Sequence, residues 1–412
     1  MKVVYLNPTG ILGGAELCML DILATVGDAL PGWSPHVILG DDGPLRASVE
    51  ALGVPCEVLP MPDRLARLGD AGLGLDSAQK GRARLNLAVR AAGAAVATSG
   101  YLARLRRCVR ALAPDVVQTN GMKAHVLGAW AAPRGTPVVW HLHDYLSSRR
   151  VMGRLLRASS GPGVLGVAVS KSVAEDAART LGARVRVLSV HNAVDLRRFC
   201  PDNGEQARID LDAEAGLAPA PVGAVRIGLV GTYARWKGHG VFLQAAARVS
   251  RDRPCRFYLV GGPLYRSTGS QFTAEELLSM ATELGLEGRV GFVPHQADPE
   301  AVYRALDVVV HASTRPEPFG RVIVEGMACG RAVVVTRGGG ASELFADGIS
   351  ALGVEPGDID GLAAALTLLN DPTLRQSLGR GGRAEVEARF DRKRLGPEWA
   401  KVYELSRDTR SR

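Results

Sequence analysis

Short, almost wholly apolar runs recur along the chain, each followed by a polar turn and an amphipathic stretch. In the first half they are Val3 to Leu6, His36 to Leu39, Cys56 to Leu59, Asp115 to Thr119, Pro137 to His141, Leu165 to Val169 and Val185 to Val190. In the second half they are Val225 to Val230, Arg256 to Gly261, Arg289 to Val293, Leu306 to Ala312 and Ala332 to Thr336. Valine-rich runs of this length predict buried strands, and their alternation with helical patterns predicts parallel βαβ units, an α/β protein. Leu17, Leu20 and Ala24 share one helical face, so a helix begins near Gly14 or Ala15. Ser170 is placed to cap another helix, and a further one starts at about Gly240. The last spans about Arg394 to Asp408, with Trp399, Val402, Tyr403 and Ser406 near one face. The pattern lapses from Pro201 to Pro221, rich in Pro, Ala, Gly and Asp, which reads as a connection between domains. A chain of 412 residues is long enough for two of them. The expected division is 1–200 and 223–393, with 201–222 as the linker.

The densest chemistry lies in Glu317-Pro318-Phe319-Gly320-Arg321-Val322-Ile323-Val324-Glu325-Gly326, between two strand-like runs. Pro316 and Pro318 stiffen the backbone around Glu317 and keep it out of a helix. A helix opening near Gly320-Arg321 directs its first N–H groups at the carboxyl end of a parallel strand, where ligands of open α/β sheets bind. Carboxylates on either side of an anion site make sense when the ligand also carries hydroxyls, because a carboxylate accepts them in charge-assisted hydrogen bonds. A nucleotide-sugar has both groups; the alternative is that Glu317 and Glu325 are solvated surface side chains.

Other strand ends add weaker signals. Gly13-Gly14 follows the first strand in a strand–glycine turn–helix pattern, but the dinucleotide fingerprint G-x-G-x-x-G is absent, which disfavours a dehydrogenase. Gly231-Thr232-Tyr233-Ala234-Arg235-Trp236-Lys237-Gly238 places cations at a glycine turn, suited to a diphosphate. In His141-Leu142-His143-Asp144, strand alternation puts both histidines on one side. Two histidines and an aspartate suggest a metal, but no further ligands cluster with them in the sequence, and none is expected.

The formal charge of +8 suits nucleic acid, anionic lipid or a phosphorylated substrate. Without zinc-finger spacing or an aromatic RNA-binding pattern, nucleic acid is set aside. From Arg64 to Arg110 the chain reads as helical and basic, with Arg82, Arg84, Arg90, Arg104, Arg106, Arg107 and Arg110. Such helices lie on anionic membranes or simply form a solvated face. The six cysteines are scattered with no C-x-x-C pair, as expected of reduced thiols in the cytosol. No apolar run reaches the roughly 18 residues needed to span a bilayer, and Met1-Lys2 runs directly into a strand. The expected location is cytoplasmic, with peripheral contact at the inner face of a membrane.

The Glu317 to Gly330 string, Gly338-Gly339-Gly340-Ala341-Ser342-Glu343, Lys237-Gly238 and the His143 strand end resemble the retaining family 4 glycosyltransferases of GT-B fold. The resemblance covers nearly the whole chain. It implies two Rossmann-like domains facing across a cleft, the last helix (about 394–412) crossing back to the first, and cell-envelope polysaccharide synthesis as a setting. By resemblance Glu317 contacts the donor sugar, Phe319, Gly320, Arg321 and Val322 the sugar and phosphates, and Glu325 the ribose. Gly13 and Gly14 lie over the phosphates or the acceptor, and His143 points toward the sugar. Lys237 neutralises the leaving diphosphate. Thr232 stands where the family has arginine, and Arg235 is the substitute one turn later; Ala193 stands where a glycine is usual.

The implied activity is a retaining hexosyl transfer from a nucleoside-diphosphate sugar to a hydroxyl acceptor, lipid-linked or otherwise, without metal or cofactor. The alternatives are a nucleotide-sugar epimerase of the same fold and a non-catalytic sugar-nucleotide-binding protein. Release of nucleoside diphosphate only in the presence of acceptor separates the three.

Overall fold

The computed structural model describes residues 1–66, 98–204, 208–249, 254–263 and 270–408. Arg82, Arg84 and Arg90 lie outside the described residues. The chain forms two compact units, one of Met1–His191 with Lys393–Arg412 and one of Asn192–Arg392. The division thus falls between His191 and Asn192, and the 201–222 segment belongs with the second unit. That segment contains a short helix, Leu211–Glu214, capped by the Asp210 carboxylate on the amides of Asp212 and Ala213. Among the described residues no helix is long and apolar enough to cross a membrane.

Among the described residues the first unit has seven strands: β1 Lys2–Asn7, β2 Ser34–Leu39, β3 Cys56–Val58, β4 Val116–Asn120, β5 Val138–Leu142, β6 Val164–Ala168 and β7 Arg186–Ser189. They lie in the order β3-β2-β1-β4-β5-β6-β7, every pair parallel. All five residues of β4, β5 and β6 are buried, as covering helices on both faces require. The reversal of strand order between β1 and β4 brings the ends of these two strands together, the usual binding position in such sheets.

The helix Leu395–Asp408 completes this unit, packing on helices Gly14–Leu23 and Val26–Ala29. Its Trp399 and Tyr403 are buried. The Tyr403 hydroxyl donates to Gln118 Oε1 at 2.6 Å and lies 2.7 Å from the Tyr5 hydroxyl. Gly396 permits the approach, since a Cβ there would fall 2.5 Å from the Thr25 carbonyl oxygen.

The second unit carries β8 Val225–Val230, β9 Cys255–Val260, β10 Val290–Val293, β11 Val308–His311, β12 Ala332–Thr336 and β13 Leu352–Val354. Their order is β10-β9-β8-β11-β12-β13, again all parallel. Phe242, Phe257, Leu259, Val310 and Val334 form part of its core. The edge strand β13 is three residues with a central glycine, too short to show in the hydrophobic pattern. Elsewhere the apolar runs locate the strands to within about two residues at each end, the usual uncertainty of such boundaries. The stretch expected to be helical between Arg64 and Arg110 is helical where described, at 63–66 and 98–112.

Candidate active site

At the carboxyl end of β11 the chain turns through 312–320 before entering the helix Arg321–Ala328. The Glu317 backbone is fastened to a glycine loop: its amide donates to Gly338 O, and the Gly340 amide donates to Glu317 O at 2.8 Å. Gly339, with φ of 65°, makes the sharp turn this pairing needs. Glu317 is 7% exposed. Its Oε2 accepts from Lys237 Nζ at 2.8 Å, Ser313 Oγ at 2.9 Å and His311 Nε2 at 3.2 Å. Since a carboxylate only accepts, His311 donates through Nε2, and its Nδ1 lies 3.2 Å from Thr336 Oγ1 at the end of β12.

Lys237 arrives from the loop after β8. The short 3-10 turn Arg235–Lys237 is held to the neighbouring strand end by the Thr314 amide, which donates to Trp236 O at 2.7 Å. Gly238 then enters the left-handed region at φ 79° and opens the helix His239–Arg248. Arg235 does not join Lys237. Side chains two apart on a 3-10 turn diverge by 120°, and Arg235 instead pairs with Glu276 at 2.7 Å and stacks 4.3 Å over the Phe272 ring. The two cations read from sequence for the diphosphate thus have different carboxylate partners in the structure.

Glu325 lies on the second turn of its helix, 7% exposed, where Tyr303 donates from its hydroxyl at 2.8 Å and Arg321 from Nε at 3.2 Å. The buried Tyr303 hydroxyl is pushed well above its usual pKa by burial and then by Glu325. Gly320, at φ 99°, starts this helix, and a Cβ there would meet Ile323 at 2.7 Å. Half-buried Arg321 and Val322 form the first turn, whose N–H groups point out of the helix end. Phe319 is 3% exposed and packs edge-on against Phe390, so its ring belongs to the core.

Burial by itself pushes the Glu317 carboxyl up, but Lys237 and His311 outweigh it and hold the group well below the usual carboxylate range. A folded pKa below the unfolded one stabilises the protein above the ordinary value of 4.5, and that stability is lost as pH falls toward the folded value. The difference in Tm between wild type and Glu317→Gln is therefore expected to be largest near neutral pH and to shrink below about pH 4.5. A difference that stays constant through acid melting curves would contradict the assigned ionisation.

In the first unit, Gly13 and Gly14 begin the helix Gly14–Leu23, but the Gly13 amide donates to Glu16 Oε2 at 3.1 Å. The helix start therefore already holds a carboxylate at Gly13, and only Gly14 is exposed. Burial raises the Glu16 pKa, against hydrogen bonds that lower it. Asn120, at the end of β4, donates to Ala15 O at 3.2 Å and accepts from His143 Nε2 at 3.1 Å, tying that ring to the same helix start. His141 lies beneath, its ring centroid 4.0 Å from that of His143 and 4.8 Å from that of Trp399. Burial holds His141 well below its usual pKa, hence neutral. Among the described residues no three His, Cys, Asp or Glu side chains converge as for a metal.

His311, Ser313 and Asn120 were not singled out from sequence. His311 had a readable signal, being the polar residue that closes a valine strand at its carboxyl end. Ser313 and Asn120 had none.

Two parallel-stranded α/β units of this topology are the GT-B fold of glycosyltransferases. The structure superposes on Anabaena HepE, crystallised with UDP-glucose, with a TM-score of 0.78 and 27% identity over 98% of this chain and 100% of that one. Residues 219–385 match the family Glycosyl transferases group 1, and residues 82–198 match Glycosyltransferase Family 4. The chain is 31% identical over 300 residues to D-inositol 3-phosphate glycosyltransferase 1 of Catenulispora acidiphila, covering 67% of this chain and 68% of that one. It is 35% identical over 204 residues to the D-inositol 3-phosphate glycosyltransferase of Salinispora tropica, covering 48% of this chain but only 41% of that relative. The protein belongs to the group 1, family 4 glycosyltransferases.

Proposed function

We propose that the protein transfers a sugar from a uridine-diphosphate sugar to a hydroxyl acceptor, with retention of anomeric configuration and without a metal. The observation that carries this reading is the pair of half-buried Lys237 and buried Glu317 beside the helix start at Arg321, with Glu325 on the same helix. Lys237 supplies the cation for the departing diphosphate, and the first-turn amides at Arg321 and Val322 receive its oxygens. Glu317, held ionised, accepts from donor-sugar hydroxyls, and Glu325 from the ribose. The uridine base is inferred from HepE, whose structures hold UDP and UDP-glucose.

In the transfer, the bond from the anomeric carbon to the phosphate oxygen breaks while the acceptor oxygen bonds to that carbon from the same face. The acceptor proton passes to the departing phosphate. By resemblance, His143, which donates to Asn120, is assigned to the sugar. Arg235 has no assigned part in the step.

A thermal-shift panel tests the donor. A ligand at a hundred times its Kd stabilises the folded state by about 2.7 kcal/mol, which for units of this size raises Tm by about 5–10 °C. The expected result is a shift with UDP-sugars and none with GDP- or ADP-sugars. Release of UDP without acceptor, or a shift with no UDP compound, overturns the reading. The anomeric configuration of the product, read by NMR, tests retention.

A further inference from the structure

The helix Arg150–Ser159 has one buried side and two unlike exposed stripes. Gly153 and Leu156 face the unit's interior. At 100° per residue, Arg150, Arg154 and Arg157 fall on one exposed stripe, and Val151, Leu155 and Ala158 on the next. Val151 is 70% exposed and Leu155 37%. The three arginines are exposed and, among the described residues, form no ion pair. A helix that needed only solubility would not place two bare aliphatic side chains beside three uncompensated cations.

The surroundings carry the same sign. Residues 98–191 contain fourteen Lys and Arg against four Asp and Glu, more than the whole excess of the chain. Among these acids, Asp115 accepts the Lys2 amide, and buried Asp176 accepts the Ser147 amide. The adjoining helix Met122–Ala131 ends in half-exposed Trp130, whose carbonyl accepts from Arg106. Right-handed crossovers from β4 through β7 put these helices on the same side of the sheet.

We propose that this face of the first unit docks on an anionic lipid bilayer, with Val151 and Leu155 entering the headgroup–acyl boundary and Arg150, Arg154 and Arg157 meeting lipid phosphates. An apolar stripe flanked by arginines fits that boundary. A nucleic acid would use the arginines and gain nothing from the aliphatic pair. The inference does not depend on the donor or on the chemistry proposed above. It places the membrane contact on a described helix, whereas the basic stretch read from sequence lies mostly outside the described residues.

The test is co-sedimentation of the full chain with phosphatidylcholine vesicles, with and without phosphatidylglycerol. Wild type is expected to bind only the anionic vesicles. Replacing the three arginines by glutamine should lower the partition coefficient roughly a hundredfold, about fivefold for each charge near the surface. Val151→Ser with Leu155→Ser should lose about tenfold, the effect of withdrawing two methylenes from hydrocarbon, and what remains should vanish at high salt. An unchanged Tm in each variant shows that folding is intact. Wild type that ignores anionic vesicles overturns the proposal, as does serine-variant binding equal to wild type at every salt concentration. A dimer in light scattering that the serine variant dissociates, without vesicle binding, would assign the face to a second copy and also overturn it.

Discussion

Glu317→Ala is expected to lower kcat/KM by about 10²–10³-fold, the range for losing one preorganised polar contact in a transition state, about 3–4 kcal/mol. The expectation rests on convergence. Lys237, Ser313 and His311 all donate to a single carboxylate oxygen in a buried setting. That arrangement fixes the carboxylate before the sugar arrives, so little reorganisation remains for the reaction itself. Removing it also leaves the Lys237 ammonium without its buried counter-charge, and breaking such a pair costs about 3–5 kcal/mol of stability. The two effects are separable. Kinetics measured well below the melting temperature report the catalytic part, and calorimetry reports the folding part. Unchanged kcat/KM in a folded Glu317→Ala protein would remove Glu317 from the site.

Gly238→Ala is expected to be among the most destabilising single changes in the second unit. The residue lies at φ 79°, and a Cβ would fall 1.8 Å from the Ala312 carbonyl oxygen at the end of β11. A left-handed backbone alone costs a non-glycine residue roughly 1–2 kcal/mol. The clash is with backbone, so it is relieved only by moving the loop that carries Lys237 away from the strand that leads to Glu317. A loss of about 3–5 kcal/mol, or a Tm lower by about 10 °C, is expected in calorimetry. UDP-sugar binding should weaken further than the stability loss explains, because the two halves of the site separate. A Tm within a degree or two of wild type would show that the loop tolerates the shift.

Most strands were legible because their valine runs carry no polar face and β-branched residues suit nothing else so well. The Glu317 and Lys237 positions were legible because proline and glycine mark the turns that hold them. What the sequence could not show is direction in space. Arg235 and Lys237 are two residues apart and looked like one cationic pair, yet a 3-10 turn sends one to Glu276 and the other to Glu317. Gly13 looked like an open phosphate loop, yet Glu16 three residues on folds back to its amide, a local choice between two acceptors that periodicity does not encode. His311 and Thr336 meet because parallel strands β11 and β12 end side by side, a pairing between residues 25 apart in sequence.

The return of the helix Leu395–Asp408 to the first unit has a bearing on how the protein is made. Synthesis runs from the amino end, and domains generally fold as they emerge. Here the first unit to leave the ribosome lacks Trp399 and Tyr403, so the side of its sheet around Tyr5, Gln118 and His141 waits uncovered while residues 192–392 are translated. The second unit, contiguous in sequence, can close first. The first unit is thus finished after the second, and during that interval its sheet keeps an uncovered apolar face of the kind that makes folding intermediates prone to aggregate.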